Sequence, residues 1–290
     1  MKILIFGGTG CVVASIGALL LCGAAAKIPE RIASGTVASD EIVIELLERA
    51  NQLQRLVAVS VFAQDPRYSS IKTVPPQVKG RVGGELESLV ALRPDLVILA
   101  HYNRPEMIAQ LRNAGIPTMI QARFDSIADI QQNILSIGTA TGTPMQATAL
   151  VAWMQSAGHV RPLPRAPSVI SFSMTGTLVG ADTLLDDCIA RAGGTNLART
   201  LGVTGWQKVQ AEALAPLDPD FILAGGEETD SKRIAALIAG TPGYQQMARR
   251  NRYRLILIPE PVLLAVSHHA VGIITHLSAA FSLHGANLSK

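Results

Sequence analysis

Two aromatic-rich pairs, His101-Tyr102 and His268-His269, are the side chains in this sequence best equipped for chemistry. Imidazole and phenolate take axial positions on chelated transition metals and donate hydrogen bonds to the edge of a flat organic molecule. The first pair follows an apolar run at 96–100, where a binding loop is expected. The second follows Ser267, a natural N-cap, and is read either as a contact pair or as a capped helix start with one buried histidine. His159, beside a linker, and His276, inside a helical run, are read as having no chemical role. Cys188 lies in an apolar helical run and is expected in the core. Asp186-Asp187 are adjacent, so on a helix their side chains point about 100° apart, and a solvated helix face is expected rather than a metal pair. Reaction motifs are missing: the sequence has no Gly-x-Ser-x-Gly elbow, no His-Glu-x-x-His and no phosphate-binding Gly-x-x-x-x-Gly-Lys-Ser/Thr.

The elements that must position these residues follow from the patterning. Short β-branched runs at 31–34, 56–60, 96–100, 118–121, 168–173, 221–224 and 254–258 alternate with helical periodicity, the signature of parallel α/β units. Helices are expected at 126–137 and 144–158, broken at 138–143. The stretch 161–167 has three prolines and reads as a linker. One segment recurs. Glu87 and Glu212 each open a Glu-x-Leu-x-x-Leu-x-Pro-Asp motif followed by an apolar strand, so the chain reads as two similar lobes in tandem. The predicted architecture is α/β: two Rossmann-like three-layer lobes (27–142 and 167–290) joined by a long interdomain helix and linker (143–166).

Length and composition agree with that architecture. At 290 residues and 48% hydrophobic content the chain has material for two real cores. The net charge of +3 is scattered, and the basic group within 249–254 is too short to be a nucleic-acid footprint. Residues 1–26 read as a secretory leader: Lys2, an apolar stretch, then Ala24-Ala25-Ala26 as a cleavage site, leaving a mature chain from Lys27. Lipid attachment at Cys22 is a weaker variant, because Leu21 precedes it. A rival reading takes Gly7-Gly8-Thr9-Gly10 as a dinucleotide-binding turn, which would make the protein a cytosolic NAD(P)-dependent oxidoreductase. Its third glycine position is Val13, however, and no acidic residue occurs before Glu30. With Cys11 and Cys22 in the leader, Cys188 alone remains, so no intrachain disulfide is expected.

These features together resemble one known family. The motif around Arg31-Ile32-Ala33-Ser34, Val57-Ala58-Val59-Ser60, both Glu…Pro-Asp repeats, Gly115-Ile116-Pro117 and Arg191-Ala192-Gly193-Gly194-Thr195-Asn196 is similar to exported substrate-binding proteins of ABC importers for cobalamin, haem and ferric siderophores. The resemblance implies a periplasmic, monomeric protein that is not an enzyme, with no intrinsic cofactor and a metal chelate as cargo in the interlobe cleft. It implies that Glu87 and Glu212 dock into arginines of the permease dimer. In open α/β sheets ligands sit beyond the carboxyl ends of strands. The expected cleft residues are Thr36, Phe62, Gln64, His101, Tyr102, Met174, Trp206, Gly226, Glu227, His268 and His269, with Arg104 and Arg123 as the loop cations a siderophore would need. The loops at 101–104 and 225–228 are expected to face one another. Trp206 and Phe62 tilt the reading toward a corrinoid. In this family the loop after the first strand more usually carries a proline, where this chain has Gly35-Thr36-Val37-Ala38. A sensor or adaptor on the same fold is the remaining reading.

Overall fold

The computed structural model describes residues 27–160, 162–250 and 252–288. The expected leader, with Cys22, the Ala26 cleavage point and the glycines at 7–10, lies outside the described residues. In chain order the strands are β1 (Ile32–Ser34), β2 (Leu56–Ser60), β3 (Gly80–Val82), β4 (Leu96–Ala100), β5 (Thr118–Gln121), β6 (Ser168–Ser171), β7 (Thr177–Val179), β8 (Thr195–Asn196), β9 (Trp206–Lys208), β10 (Phe221–Gly225) and β11 (Arg254–Ile258). The helices are α1 (Val37–Arg49), α2 (Leu86–Ala91), α3 (Pro105–Asn113), α4 (Ile127–Thr141), α5 (Pro144–Ala157), α6 (Leu184–Arg191), α7 (Ala211–Leu214), α8 (Ser231–Gly240), α9 (Tyr244–Arg250), α10 (Glu260–Leu263) and α11 (Val271–Leu288). A parallel sheet ordered β3-β2-β1-β4-β5 forms the first lobe. A parallel sheet ordered β11-β10-β6-β8, with the antiparallel β7-β9 pair beside it, forms the second. Strand order reverses between β1 and β4 in one sheet and between β6 and β10 in the other. Both reversals open a crevice at the carboxyl edge.

The repeated motif has a structural cause in its aspartates. Asp95 accepts the backbone N–H groups of Glu30 and Arg31, each at 2.8 Å, and so pins the entry to β1 beside β4. Asp220 does the same in the second lobe, accepting the Ser168 N–H at 2.7 Å and the Ser168 hydroxyl at 2.9 Å, with Arg165 paired to it. In each lobe, then, a Pro-Asp step clamps the first strand to the strand that will flank the crevice.

Two glycines define close approaches. A Cβ at Gly35 would lie 2.5 Å from Leu99 Cδ2 and 2.9 Å from Val82 Cγ1, so any larger residue at this turn would have to displace those side chains. The expected helix break at 138–143 is corrected: α4 runs through Gly138 and ends at Gly142, whose φ of 71° forms a left-handed cap. Gly138 is there for packing, since a Cβ would stand 2.3 Å from the Ala147 Cβ of α5. Pro144 then starts α5 at the position where a missing N–H costs nothing.

One hydrophobic cluster continues from Ile32 and Leu46 through Ile134 on α4 and Leu150 on α5 to Val169, Cys188, Phe221 and Phe281. The lobes therefore share a core. Cys188 is fully buried within it, and burial pushes its thiol far above the ordinary range. The expectation of a solvated face for Asp186-Asp187 is also corrected. Asp186 is buried and accepts from Asn196 Nδ2 at 3.1 Å and Arg199 Nη1 at 2.9 Å. Asp187, in the second lobe, accepts the Ile127 N–H at 2.8 Å and so caps α4 across the lobe boundary. The two carboxylates do diverge, but each meets a different backbone or cationic partner. Arg250, from the basic group, donates to the Ala215 and Leu217 carbonyls.

Candidate functional site

The crevice at the first lobe's strand reversal is built on a polar floor. Thr36 caps α1, accepting the Ser39 N–H at 3.1 Å while its own N–H donates to Ser39 Oγ at 3.2 Å. One residue beyond Ser39, Asp40 is fully buried and accepts the Ser60 N–H and hydroxyl, the latter at 2.5 Å. Burial pushes its carboxyl up to about 7, against the pull of those hydrogen bonds. Glu41 is buried too, accepts the Ser70 N–H at 2.9 Å and the hydroxyl of Ser267 from the other lobe, and is held above the usual carboxylate range by desolvation.

Over this floor lies a cavity of about 700 Å³, walled by Thr36, Phe62, Tyr68, Tyr102 and Met107 and closed from the second lobe by Leu264–Val266. Phe62 and Tyr68 meet edge to face at 6.1 Å. Tyr102, 55% exposed, lines the cavity, with its phenol close to Thr36. Desolvation raises the phenol above its ordinary value, so it stands as a neutral donor. His101 and Phe124 complete a cluster with Tyr102, at ring separations of 5.3 and 5.5 Å from it.

The second lobe contributes an adjoining cavity of about 590 Å³, on the far side of the same 264–266 segment. Its walls are Phe124 from the first lobe and Phe172 and Trp206 from the second. Ser171, Ser173, Thr175 and Thr177 supply hydroxyls, and Asp125 and Asp182 supply carboxylates. Trp206 is 67% exposed, far more than a tryptophan in a filled core. Flat apolar walls with a few convergent polar groups suit a large planar ligand.

Among the expected residues, Thr36, Phe62, Tyr102 and Trp206 line these cavities. His101 touches the wall through Tyr102 and Phe124. Met174 is exposed beside the lining Ser173 and Thr175. Gln64 is exposed and lies 3.5 Å from Arg81 Nη2, outside both cavities. Arg104 lines the first cavity, whereas Arg123 pairs with Asp129 at 3.3 Å. The loop at 225–228 does not face the one at 101–104. Gly226 donates its N–H to the Ile258 carbonyl and, with Glu227, lines a separate groove beside β11 and His276; β10 reaches the cleft through Leu223 and Ala224 instead. His268 is only 5% exposed and packs between His269, at 4.1 Å, and Trp153, at 6.3 Å. Its Nδ1 has no hydrogen-bond partner among the described residues, and burial holds the ring neutral, down to about 3. His269 faces Glu41 and lines neither cavity. Sequence reasoning missed Tyr68, Phe124, Phe172 and the 264–266 segment. Phe124 was open to the same rule that found Tyr102, since it follows the end of β5.

Two α/β lobes with a shared core and a cleft between their carboxyl edges define a solute-binding protein. The chain belongs to the periplasmic binding protein family, which it matches over residues 32–261. It is 28% identical over 206 residues to a cobalamin-binding protein of Halobacterium salinarum (strain ATCC 29341 / DSM 671 / R1), covering 68% of this chain and 54% of that one. It is 28% identical over 217 residues to the vitamin B12-binding protein of Pectobacterium carotovorum subsp. carotovorum (strain PC1), covering 72% and 75%. The match thus spans about half the length of the haloarchaeal relative. Among solved structures, the periplasmic heme-binding protein RhuT from Roseiflexus sp. RS-1 in apo form superposes with a TM-score of 0.68 at 27% identity, over 87% of this chain and 97% of that one.

Proposed function

We propose that this protein is the exported solute-binding component of an ABC importer, which captures a metal chelate between its lobes and delivers it to the permease. The work is binding and handover, with no bond made or broken, and the metal arrives as part of the cargo. The observation that carries the reading is the pair of adjoining aromatic-walled cavities, together large enough for a macrocycle, at the strand reversals of both lobes. Trp206, Phe62 and the scarcity of lining cations favour a corrinoid over a ferric siderophore, whose acidic groups would call for arginines. Relatives named for cobalamin and vitamin B12 point the same way.

Docking is assigned to Glu87 and Glu212. Each lies in the first turn of a short helix, one per lobe, just ahead of that lobe's Pro-Asp step. Two like charges at fixed separation can orient a monomer on a two-fold symmetric permease dimer. The test is thermal stability of the chain from Lys27 with cyanocobalamin, haemin or a ferric hydroxamate. A ligand at ~100 times its Kd stabilises the fold by about 2.7 kcal/mol. A shift with cyanocobalamin alone supports the corrinoid reading. A shift with haemin, with a Soret change lost in Tyr102→Phe, moves the cargo to haem. No shift with any of them overturns the proposal.

A further inference from the structure

We infer that the second lobe's half of the cleft reads the edge of its ligand, accepting neutral N–H donors such as primary amides and rejecting carboxylates, with Asp125 and Asp182 as the discriminating residues. The inference rests on the proposed capture of a metal chelate in this cleft and narrows the ligand's chemical class.

The charge pattern carries it. Among the described residues no lysine, arginine or histidine lines this cavity, and its only ionisable lining groups are the two aspartates. They come from opposite walls: Asp125 follows β5 in the first lobe, and Asp182 precedes α6 in the second. Asp182 holds a φ of 58°, a left-handed conformation that aspartate tolerates better than most residues, and it forms no ion pair among the described residues. Arg123 is the one cation paired with Asp125 among the described residues, at 3.9 Å. It lies closer to Asp129, at 3.3 Å, and is largely solvated, so it screens Asp125 weakly.

An independent observation points to a ligand here. Ser171, at the end of β6, lines the cavity at 9% exposure, and its hydroxyl has no hydrogen-bond partner among the described residues. A buried hydroxyl left unpaired is costly unless something arrives to meet it. Beside it, Ser173, Thr175 and Thr177 form a hydroxyl ladder at 3.0 and 3.1 Å. The aromatic walls accept the face of a flat chelate, while carboxylates and hydroxyls accept its edge. Ionised aspartate has acceptors only, so an amide N–H satisfies it. A ligand carboxylate would instead bring like charges together in a partly desolvated cleft.

The experiment measures Kd by tryptophan quenching on the chain from Lys27 with two probes that share the corrin ring and cobalt. Dicyanocobinamide carries amide side chains, and dicyanocobyrinic acid carries carboxylates at the same places. Wild type is expected to bind the amide probe about 100-fold more tightly at pH 7.5, a gap that narrows in high salt. The double variant D125N/D182N keeps an acceptor oxygen at both sites and removes the charge. It is expected to gain about tenfold or more in affinity for the acid probe and to lose several-fold for the amide, whose N–H groups then meet neutral acceptors. Equal binding of the two probes by wild type, or an unchanged ratio in the variant, overturns the inference while leaving the cleft reading intact. Binding of neither probe overturns the corrinoid assignment and the inference with it, and the haemin and ferric hydroxamate assays then decide whether the cleft takes another chelate. Each aspartate is exposed, so the folded state survives the change, which far-UV circular dichroism verifies.

Discussion

Replacing Asp40 by asparagine should tilt the protein's stability-versus-pH curve in a way that no surface carboxylate can. Asp40 is fully buried under the cleft, and its carboxyl titrates near 7 in the folded state, against about 4 in an unfolded chain. Between about pH 4 and 7 the folded protein therefore keeps a proton that the unfolded chain has lost. Stability falls with rising pH across that window by about 1.4 kcal/mol per pH unit, or about 4 kcal/mol in all. His268 works in the opposite sense. Its ring is held near 3, so between about pH 3 and 6.5 the unfolded chain binds the extra proton and stability rises with pH at the same slope. The two nearly cancel in the wild type, with Glu41, also raised, adding to the aspartate's side. An asparagine amide at this position would still accept the Ser60 N–H and would stay neutral. From about pH 4.5 to 6.5 the variant's slope should exceed the wild type's by about 1.4 kcal/mol per pH unit. Urea unfolding midpoints and m-values at half-unit pH steps, without ligand, measure this directly. Parallel curves for the two proteins would mean that Asp40 ionises like an exposed carboxylate, refuting the burial argument.

Asp220→Ala should cost about 1–3 kcal/mol in urea unfolding, because it leaves the Ser168 N–H unpaired at the root of β6. The Ser168 and Arg165 contacts outweigh burial and hold that carboxyl low, so its contribution is present above about pH 4 and lost as pH falls below that value. Gly138→Ala should destabilise by about 1–3 kcal/mol through overpacking against Ala147, despite alanine's better helix propensity; a stabilised variant would show that α4 and α5 part freely. Trp206→Ala should weaken cyanocobalamin binding about tenfold with an unchanged melting point, since the ring is mostly exposed. The pair Glu87→Arg and Glu212→Arg should abolish uptake in a cell carrying the cognate permease and leave the purified protein's ligand affinity unchanged.

Much of the fold was readable because parallel strands buried on both faces are continuous apolar runs. Leu56–Ser60 and Leu96–Ala100, buried throughout, were found to the residue for that reason, and the edge strand Arg254–Ile258 by its apolar run although one face is only partly covered. The short strands β3, β7, β8 and β9 were not found: two or three residues give no period, and Trp206–Lys208 is exposed throughout. The repeated Pro-Asp disclosed two lobes because each copy makes the same clamp at the root of its sheet, although the strand entry it holds lies far back in the chain. Cleft residues that follow a strand directly, such as Thr36 and Tyr102, came from that rule. His268 defeated it, because whether a histidine after an N-cap points at a ligand or into a core depends on Trp153, far away in sequence. Gly226 and Glu227 defeated it too, since one backbone hydrogen bond to Ile258 turns their loop along the sheet edge.

The core that runs unbroken from one lobe to the other has a consequence for what the cleft will accept. The Asp187 cap on α4 and the Glu41–Ser267 bond fasten the same seam from its two sides. Spreading the walls would open that packing, so widening the gap costs buried apolar contact. A guest that fits the gap as it stands leaves this packing untouched, whereas a thicker one must part buried apolar surface before it meets either wall.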